Sequence, residues 1–344
     1  MAKKKIFMLQ TGGTLGQEKG EDGVFRPSDK EYVDLVPNIR DLADITIERT
    51  VNIDSTNMGT EERAMLAKKI YESYYKYDGF VVVHGTNTMV DTCSALTYMI
   101  RGLGKPVVLT GSQKSIFVPG TDAINNLYYA VKAATGDFGE VVIVFGDKIV
   151  RGVRASKVSE QGLNAFDSFR IPPVAEIGID IILNDNRLKR FNSEPTLFVD
   201  FETNIEFYRQ TSGSSTKIFE RYVDDEKIRG IIMEGYGAGN VQSRLVHLIE
   251  KAVGLGKPVL VVTNCSLGAA DMEIYEVGME SLKVGAMSAG DMTVECAAQK
   301  LMYAIGKANR LGLDGKDKIE FVRDIISRNY AEDVSETCGS RFDI

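Results

Sequence analysis

The sequence predicts an α/β protein of two α/β domains, the larger N-terminal one a doubly wound, mainly parallel sheet with a strand-end site. Three observations lead there. Short valine-rich apolar runs at 80–83, 106–109 and 141–145 read as strands buried on both faces. Strand, loop and helical spacing alternate at about 30-residue intervals, the rhythm of a parallel sheet. The runs also end in small polar residues, most abruptly at His84-Gly85-Thr86-Asn87-Thr88. In open α/β sheets, ligands bind at the carboxyl ends of strands. The expected division is an N-terminal domain over 1–184, a linker over 185–196 and a smaller C-terminal domain over 197–344.

Size and charge bound the rest. A chain of 344 residues suits about two domains, each with its own core. Apolar content of 44% beside 26% charged residues is ordinary for a globular chain. A formal net charge of −7 provides no basic footprint, so neither nucleic acid nor an anionic membrane is an expected partner. The apolar run behind Lys3-Lys4-Lys5 is too short for a signal peptide. No stretch approaches the roughly 18 apolar residues of a spanning helix. Cys93, Cys265, Cys296 and Cys338 fit no metal spacing; with reduced thiols, a cytoplasmic location is expected.

In chain order, residues 6–10 form the first strand and leave through Thr11-Gly12-Gly13-Thr14-Leu15-Gly16. This exit and the one at Thr86 offer hydroxyls and free backbone N–H groups, which points to one shared pocket. Residues 17–30 are charged, carry Gly20, Gly23 and Pro27, and read as a mobile loop or a surface hairpin. A strand over 45–53 ends at Asp54-Ser55-Thr56-Asn57, and a helix over 61–75 follows with Thr60 as its N-cap. Met89, Val90, Cys93, Leu96 and Met99 recur at helical spacing. The run 106–109 ends at Thr110-Gly111-Ser112-Gln113, a helix covers 125–134, and Gly146-Asp147-Lys148 turns the next strand into Ile149-Val150. Strands at 197–201, 228–233 and 259–263 begin the second domain. Asp291 and Thr293 read as helix caps, and Met292, Cys296 and Leu301 as core.

The residue inventory narrows the chemistry. There are two histidines, and no G-x-S-x-G elbow presents a serine to either. His84 reads instead as a ring that holds its loop by hydrogen bonds. Strand ends rich in threonine, serine and glycine are poor metal sites, and neither a P-loop nor G-x-G-x-x-G is present. No cofactor is called for. Threonine hydroxyls are the chemistry left at the strand ends. Such a hydroxyl needs a base or a positive field, which a lysine supplies when burial lowers its pKa, and a lysine partner is what the family resemblance given next implies.

"TGGTLG" and "HGTNTM" resemble the two signature segments of the bacterial and archaeal asparaginase/glutaminase family. "VNIDSTNM", "PVVLTGSQ", "VRGVRASK" and "SAGDMTVE" resemble further segments in the family's order, closest to its cytoplasmic type I branch. The resemblance covers most of the chain and weakens between about 183 and 225. It implies Thr14 as nucleophile, with Thr86 and Lys157 completing the catalytic set. Gly13, Ser55, Thr56, Gly85, Asn87 and Ser112 are the implied substrate-binding positions, Ser55 on the α-carboxylate. It also implies a homodimer or homotetramer acting on a small amide. There are two departures. The second signature reads HGTN where the family has HGTD, and the loop after Thr14 lacks the family's tyrosine: Val24 and Phe25 stand nearest its place, and Tyr32 comes several residues late. Three readings follow: an amidohydrolase of asparagine or a relative; a diverged hydrolase of an acylated amino acid, a lactam or a small amide; or a non-catalytic homologue or amidotransferase subunit.

Overall fold

The computed structural model describes residues 2–28, 33–168 and 170–335; Lys30, Tyr32 and Cys338 lie outside the described residues. The chain forms two compact units, Met1–Phe198 and Val199–Ile344.

The first unit is built on an eight-stranded sheet. Its strands are β1 (Lys5–Gln10), β2 (Asp44–Arg49), β3 (Gly79–Val83), β4 (Val107–Thr110), β5 (Val141–Phe145), β6 (Lys148–Arg151), β7 (Ala175–Ile177) and β8 (Ile181–Leu183). Their spatial order is β8-β7-β6-β5-β4-β3-β1-β2. The strands from β2 to β5 run parallel, and β6, β7 and β8 extend the sheet antiparallel. Strand β3 is buried along its whole length. Successive side chains point to opposite faces, so a run of valines with no polar alternation is what a strand covered on both sides requires. Val81 and Val83 join Leu127, Ala130 and Val131 of helix α3 (Ala123–Ala134) in one apolar cluster, while Phe80 and Val82 are equally buried. Each such side chain contributes roughly 1.5–3 kcal/mol of burial.

The order places a switch point between β1 and β3. From β1 the chain goes to β2 on one side, then crosses to β3 on the other, and the loops leaving β1 and β3 part to open a crevice.

Several elements differ from expectation. The strand predicted over 45–53 stops at Arg49; beyond it, Thr50 and Ile53 donate N–H bonds to the carbonyls of Gln10 and Thr11, so the chain tracks the first loop as irregular backbone. The helix predicted over 61–75 is α1 (Thr60–Glu72), and Gly59 rather than Thr60 is its N-cap, with its N–H donated to Glu62 Oε2 at 2.9 Å. Residues 17–27 do form a hairpin, the second of the two readings of that loop, with Gln17–Lys19 paired with Phe25–Pro27. The strand predicted over 197–201 shrinks to Thr196–Leu197 against Ile100–Arg101 in the first unit; a tight Phe201 N–H to Val199 carbonyl bond ends the extension. Residues 185–196 fall within the first unit, with the Leu188 N–H on Glu140 and the Phe191 N–H on the Gly104 carbonyl.

The second unit carries four parallel strands, β9 (Ile205–Arg209), β10 (Gly230–Gly235), β11 (Val259–Thr263) and β12 (Met287–Ser288), in that order. Thr293 caps the helix Val294–Arg310 by accepting from the Cys296 N–H, and Met292, Cys296 and Leu301 are buried. Thr293 rather than Asp291 is the N-cap, and the Asp291 carboxylate accepts the N–H and O–H of Ser335.

Candidate active site

Parallel pairing brings the polar strand ends together. Thr11 donates both its N–H and its hydroxyl to the Val83 carbonyl, each at 3.0 Å, and the His84 N–H reaches the Thr110 carbonyl at 2.8 Å. The exits from β1, β3 and β4 therefore lie side by side. Two glycines permit the closest approach. A β-carbon on Gly13, whose φ is +87°, would sit 2.6 Å from Gly85 Cα, and one on Gly85 would sit 2.5 Å from Ser55 Oγ. Thr14 and Thr86 each follow that contact by one residue. Thr14 is half-buried and opens a short 3-10 turn, Thr14–Gly16.

Lys157 arrives from another segment. A β-carbon on Gly152 would meet Cys93 Cβ at 2.5 Å, so the stretch before Lys157 packs tightly on α2 (Met89–Met99), the helix that follows the Thr86 loop. Lys157 then pairs with Phe166 in a two-residue antiparallel ladder. Its Nζ donates to Thr86 Oγ1 and to Asn87 Oδ1, both at 2.9 Å. Burial pushes the Lys157 amine below its ordinary pKa, against the opposing pull of Glu160.

Those contacts orient the Asn87 amide. With Oδ1 on Lys157, its Nδ2 donates to Thr56 Oγ1 at 2.9 Å. The Asn87 N–H reaches the buried Ser55 Oγ at 3.2 Å, and Thr88 Oγ1 donates to the Ser55 carbonyl at 2.6 Å. Ser55 thus latches the loop, while Asp54 caps the turn by accepting the Thr56 N–H at 2.8 Å. The Thr56 N–H, with its hydroxyl as a second donor, holds the Asp54 carboxyl below the usual range. Donors therefore run from Lys157 through Asn87 and Thr56 to a carboxylate. Ser112 Oγ is buried and has no hydrogen-bond partner among the described residues; a β-carbon on its neighbour Gly111 would lie 2.3 Å from the His84 carbonyl oxygen.

Supporting residues outside the sequence reading complete the frame. Asp122 accepts the N–H groups of Gln113 and Lys114. Asn126 spans from the Gly111 carbonyl to the Gly146 N–H, and Gln113 ties this loop to the carbonyls of Ser159 and Gly162. Asp122 and Asn126 stand four apart at a helix start, a spacing that would have revealed them. On the hairpin after Thr14, Val24 and Phe25 are exposed. Among the described residues, no group of three His, Cys, Asp or Glu side chains is placed to hold a metal ion.

The Asparaginase, N-terminal family model matches residues 5–189, and the Glutaminase/Asparaginase C-terminal domain model matches 204–312. The chain belongs to the asparaginase family. It is an asparaginase-like amidohydrolase by that membership. An L-asparaginase of Thermococcus kodakarensis is 36% identical over 96% of this chain and 99% of that protein. A solved structure of the thermostable L-asparaginase from that organism has a TM-score of 0.86 at 34% identity, covering 96% of this chain and 99% of that one. One component of the glutamyl-tRNA(Gln) amidotransferase of Pyrococcus horikoshii is 32% identical over 98% of this chain but 78% of its own length. A structure of a probable cytoplasmic L-asparaginase from Campylobacter jejuni has a TM-score of 0.79 at 26% identity, over 95% of this chain and 100% of that one.

Proposed function

We propose that this asparaginase-family chain hydrolyses the side-chain amide of asparagine or a close relative, with Thr14 as nucleophile and Thr86 with Lys157 as the proton-handling pair. The observation that carries this reading is the 2.9 Å contact between Lys157 Nζ and Thr86 Oγ1, made by an amine whose pKa burial lowers. A lowered pKa eases loss of the lysine's own proton, and the neutral amine can then accept the one that a threonine hydroxyl must lose. Thr14 Oγ forms a bond to the amide carbon, and its proton passes through Thr86 to Lys157. The carbonyl oxygen becomes an oxyanion, held by N–H groups of the loops around Gly13 and Gly85. The C–N bond then breaks, the departing nitrogen takes the proton and leaves as ammonia, and water hydrolyses the threonine ester to the acid. Ser55, Thr56, Asn87 and Ser112 serve as substrate contacts, with the Ser55 hydroxyl hydrogen directed to an α-carboxylate.

Asn87 favours a second reading, in which the substrate lacks a free α-ammonium. Its oxygen already accepts from Lys157 and its Nδ2 donates to Thr56. A charged hydrogen bond to a carboxylate contributes about 1.5–3 kcal/mol, which an amide oxygen does not match. Ammonia release from asparagine and from N-acetylasparagine separates the two readings. Asn87→Asp is expected to raise asparagine affinity roughly tenfold or more. The added anion favours the charged amine, so the limb of the rate profile that rises with Lys157 deprotonation moves to higher pH. Unchanged asparagine kinetics with good hydrolysis of the acetylated amide would give the second reading the lead.

Two coarser features belong to the same proposal. A homodimer or homotetramer is supported by Ile179 and Ile182, both strongly exposed at the antiparallel end of the sheet, Ile182 on its terminal strand β8; such edges invite pairing. A cytoplasmic location is supported by likeness to the Campylobacter protein. Among the described residues, no helix is long and apolar enough to cross a membrane.

A further inference from the structure

Beneath the Thr86 loop lies a polar chain that the proposed chemistry does not use. Arg63 of α1 donates Nε–H to Thr92 Oγ1 at 3.3 Å. Thr92, on α2, lies 3.0 Å from His84 Nε2, and His84 Nδ1 lies 2.7 Å from the Gly85 carbonyl. Arg63, Thr92 and His84 are 7%, 0% and 0% exposed.

The direction of every bond follows from chemistry. A carbonyl only accepts, so His84 Nδ1 carries the hydrogen. In a neutral ring Nε2 then presents a lone pair, which only a donor satisfies. Thr92 must turn its hydroxyl hydrogen to Nε2. Its oxygen is free to accept, and a guanidinium only donates, so Arg63 fills that role. The donors run Arg63 to Thr92 to His84 to the Gly85 carbonyl, and that carbonyl belongs to the peptide bond carrying Thr86. Desolvation is the largest cause of a His84 pKa pushed down to about 4, with the charge of Arg63 acting in the same direction. Asp91 and Glu62 offset the charge of Arg63 itself.

We propose that Thr92 and Arg63 are positioning residues: they hold His84 in its Nδ1–H tautomer, and through the Gly85 carbonyl they fix the peptide that aims Thr86 at Lys157. Without the Thr92 hydroxyl, Nε2 is a buried unpaired acceptor. The ring relieves this by moving its hydrogen to Nε2, which leaves a lone pair on Nδ1 facing the Gly85 oxygen. Repulsion there turns the peptide.

The proposal rests on the amidohydrolase reading for its kinetic consequence, and the test has an arm independent of activity. The full-length protein is prepared twice, once labelled with ¹⁵N-histidine for the rings and once uniformly with ¹⁵N for the backbone amides; two ring systems are present, His84 and His247, and a His247→Gln variant assigns them. Wild type is expected to show the Nδ1–H tautomer at His84. Thr92→Val, close in shape but without the hydroxyl, is expected to populate Nε2–H and shift the Gly85, Thr86 and Asn87 amide resonances. Its kcat for ammonia release should fall about tenfold or more, with KM within about threefold, because misplacement of a reacting group acts on the chemical step. Thr92→Ser restores the hydroxyl and is expected to return both the tautomer and kcat to near wild type. An Nε2–H tautomer in wild type overturns the proposal, as does a Thr92→Val protein with unchanged resonances for Gly85 to Asn87. Failure of Thr92→Ser to restore what Thr92→Val loses also overturns it. If wild type cleaves no amide while the tautomer and resonances behave as expected, the amidohydrolase reading falls and the positioning chain stands.

Discussion

Burying an imidazole beside a guanidinium ties folding to pH at a single residue. The His84 pKa is pushed down to about 4 by desolvation, with Arg63 adding to it, whereas an unfolded histidine titrates near about 6.5. Between those values the unfolded chain binds a proton that the folded chain refuses, so stability rises with pH. His84 is therefore expected to remove about 3 kcal/mol of stability as pH falls from about 6.5 to 4, levelling off below. Urea midpoints of wild type and His84→Gln at several pH values check this; equal slopes for both proteins would remove His84 as the cause. Some of this site was legible in the residues. Thr14, Thr86 and Asn87 stand out because polar groups at the ends of apolar runs have few structural reasons to be there, whereas Lys157, in a basic turn, entered only through the family resemblance of its segment. Arg63 and Thr92 did not stand out, since an arginine in a charged stretch and a threonine inside a helix look the same whether they face solvent or a buried ring.

Among elements, the positions of the loops depend on contacts that short-range patterns do not record. The valine runs announced the strands of the sheet, because a doubly covered strand leaves an unbroken apolar signature. The end of β2 and the fate of residues 197–201 were not announced. Both turn on backbone bonds to distant or irregular segments, Thr50 to Gln10 and Phe201 to Val199. The segment leading to Lys157 has an anchor of its own. Arg151 and Glu140 form a buried pair at 2.5 Å, each side chain 3% exposed, and Glu140 also accepts the Leu188 N–H. Removing one partner strands the other charge in the interior. Glu140→Ala is expected to cost about 3–5 kcal/mol in urea unfolding, with Glu140→Gln milder because it keeps hydrogen bonds. A loss below about 1 kcal/mol for the alanine variant would show that water reaches Arg151 freely.

For the whole molecule, two α/β units and a mainly parallel sheet in the first followed from length and alternation alone, whereas the antiparallel strands β6, β7 and β8 did not. How many chains assemble did not, because an exposed Ile182 on an edge strand looks in sequence like any interior isoleucine. Light scattering is expected to give two or four times 37.9 kDa, with Ile182→Lys shifting the sample toward the single chain; a wild-type mass of one chain at every concentration would refute the assembly. Proton handling by Thr86 and Lys157 is tested most directly by ammonia release with wild type and Lys157→Met across a panel of side-chain amides, blocked and unblocked at the α-amine. Release is expected from at least one member, falling by roughly a hundredfold or more in the variant with its fold intact, as when a proton-transfer group is lost. Equal rates for the two proteins, or no release from any amide by wild type, would contradict that role.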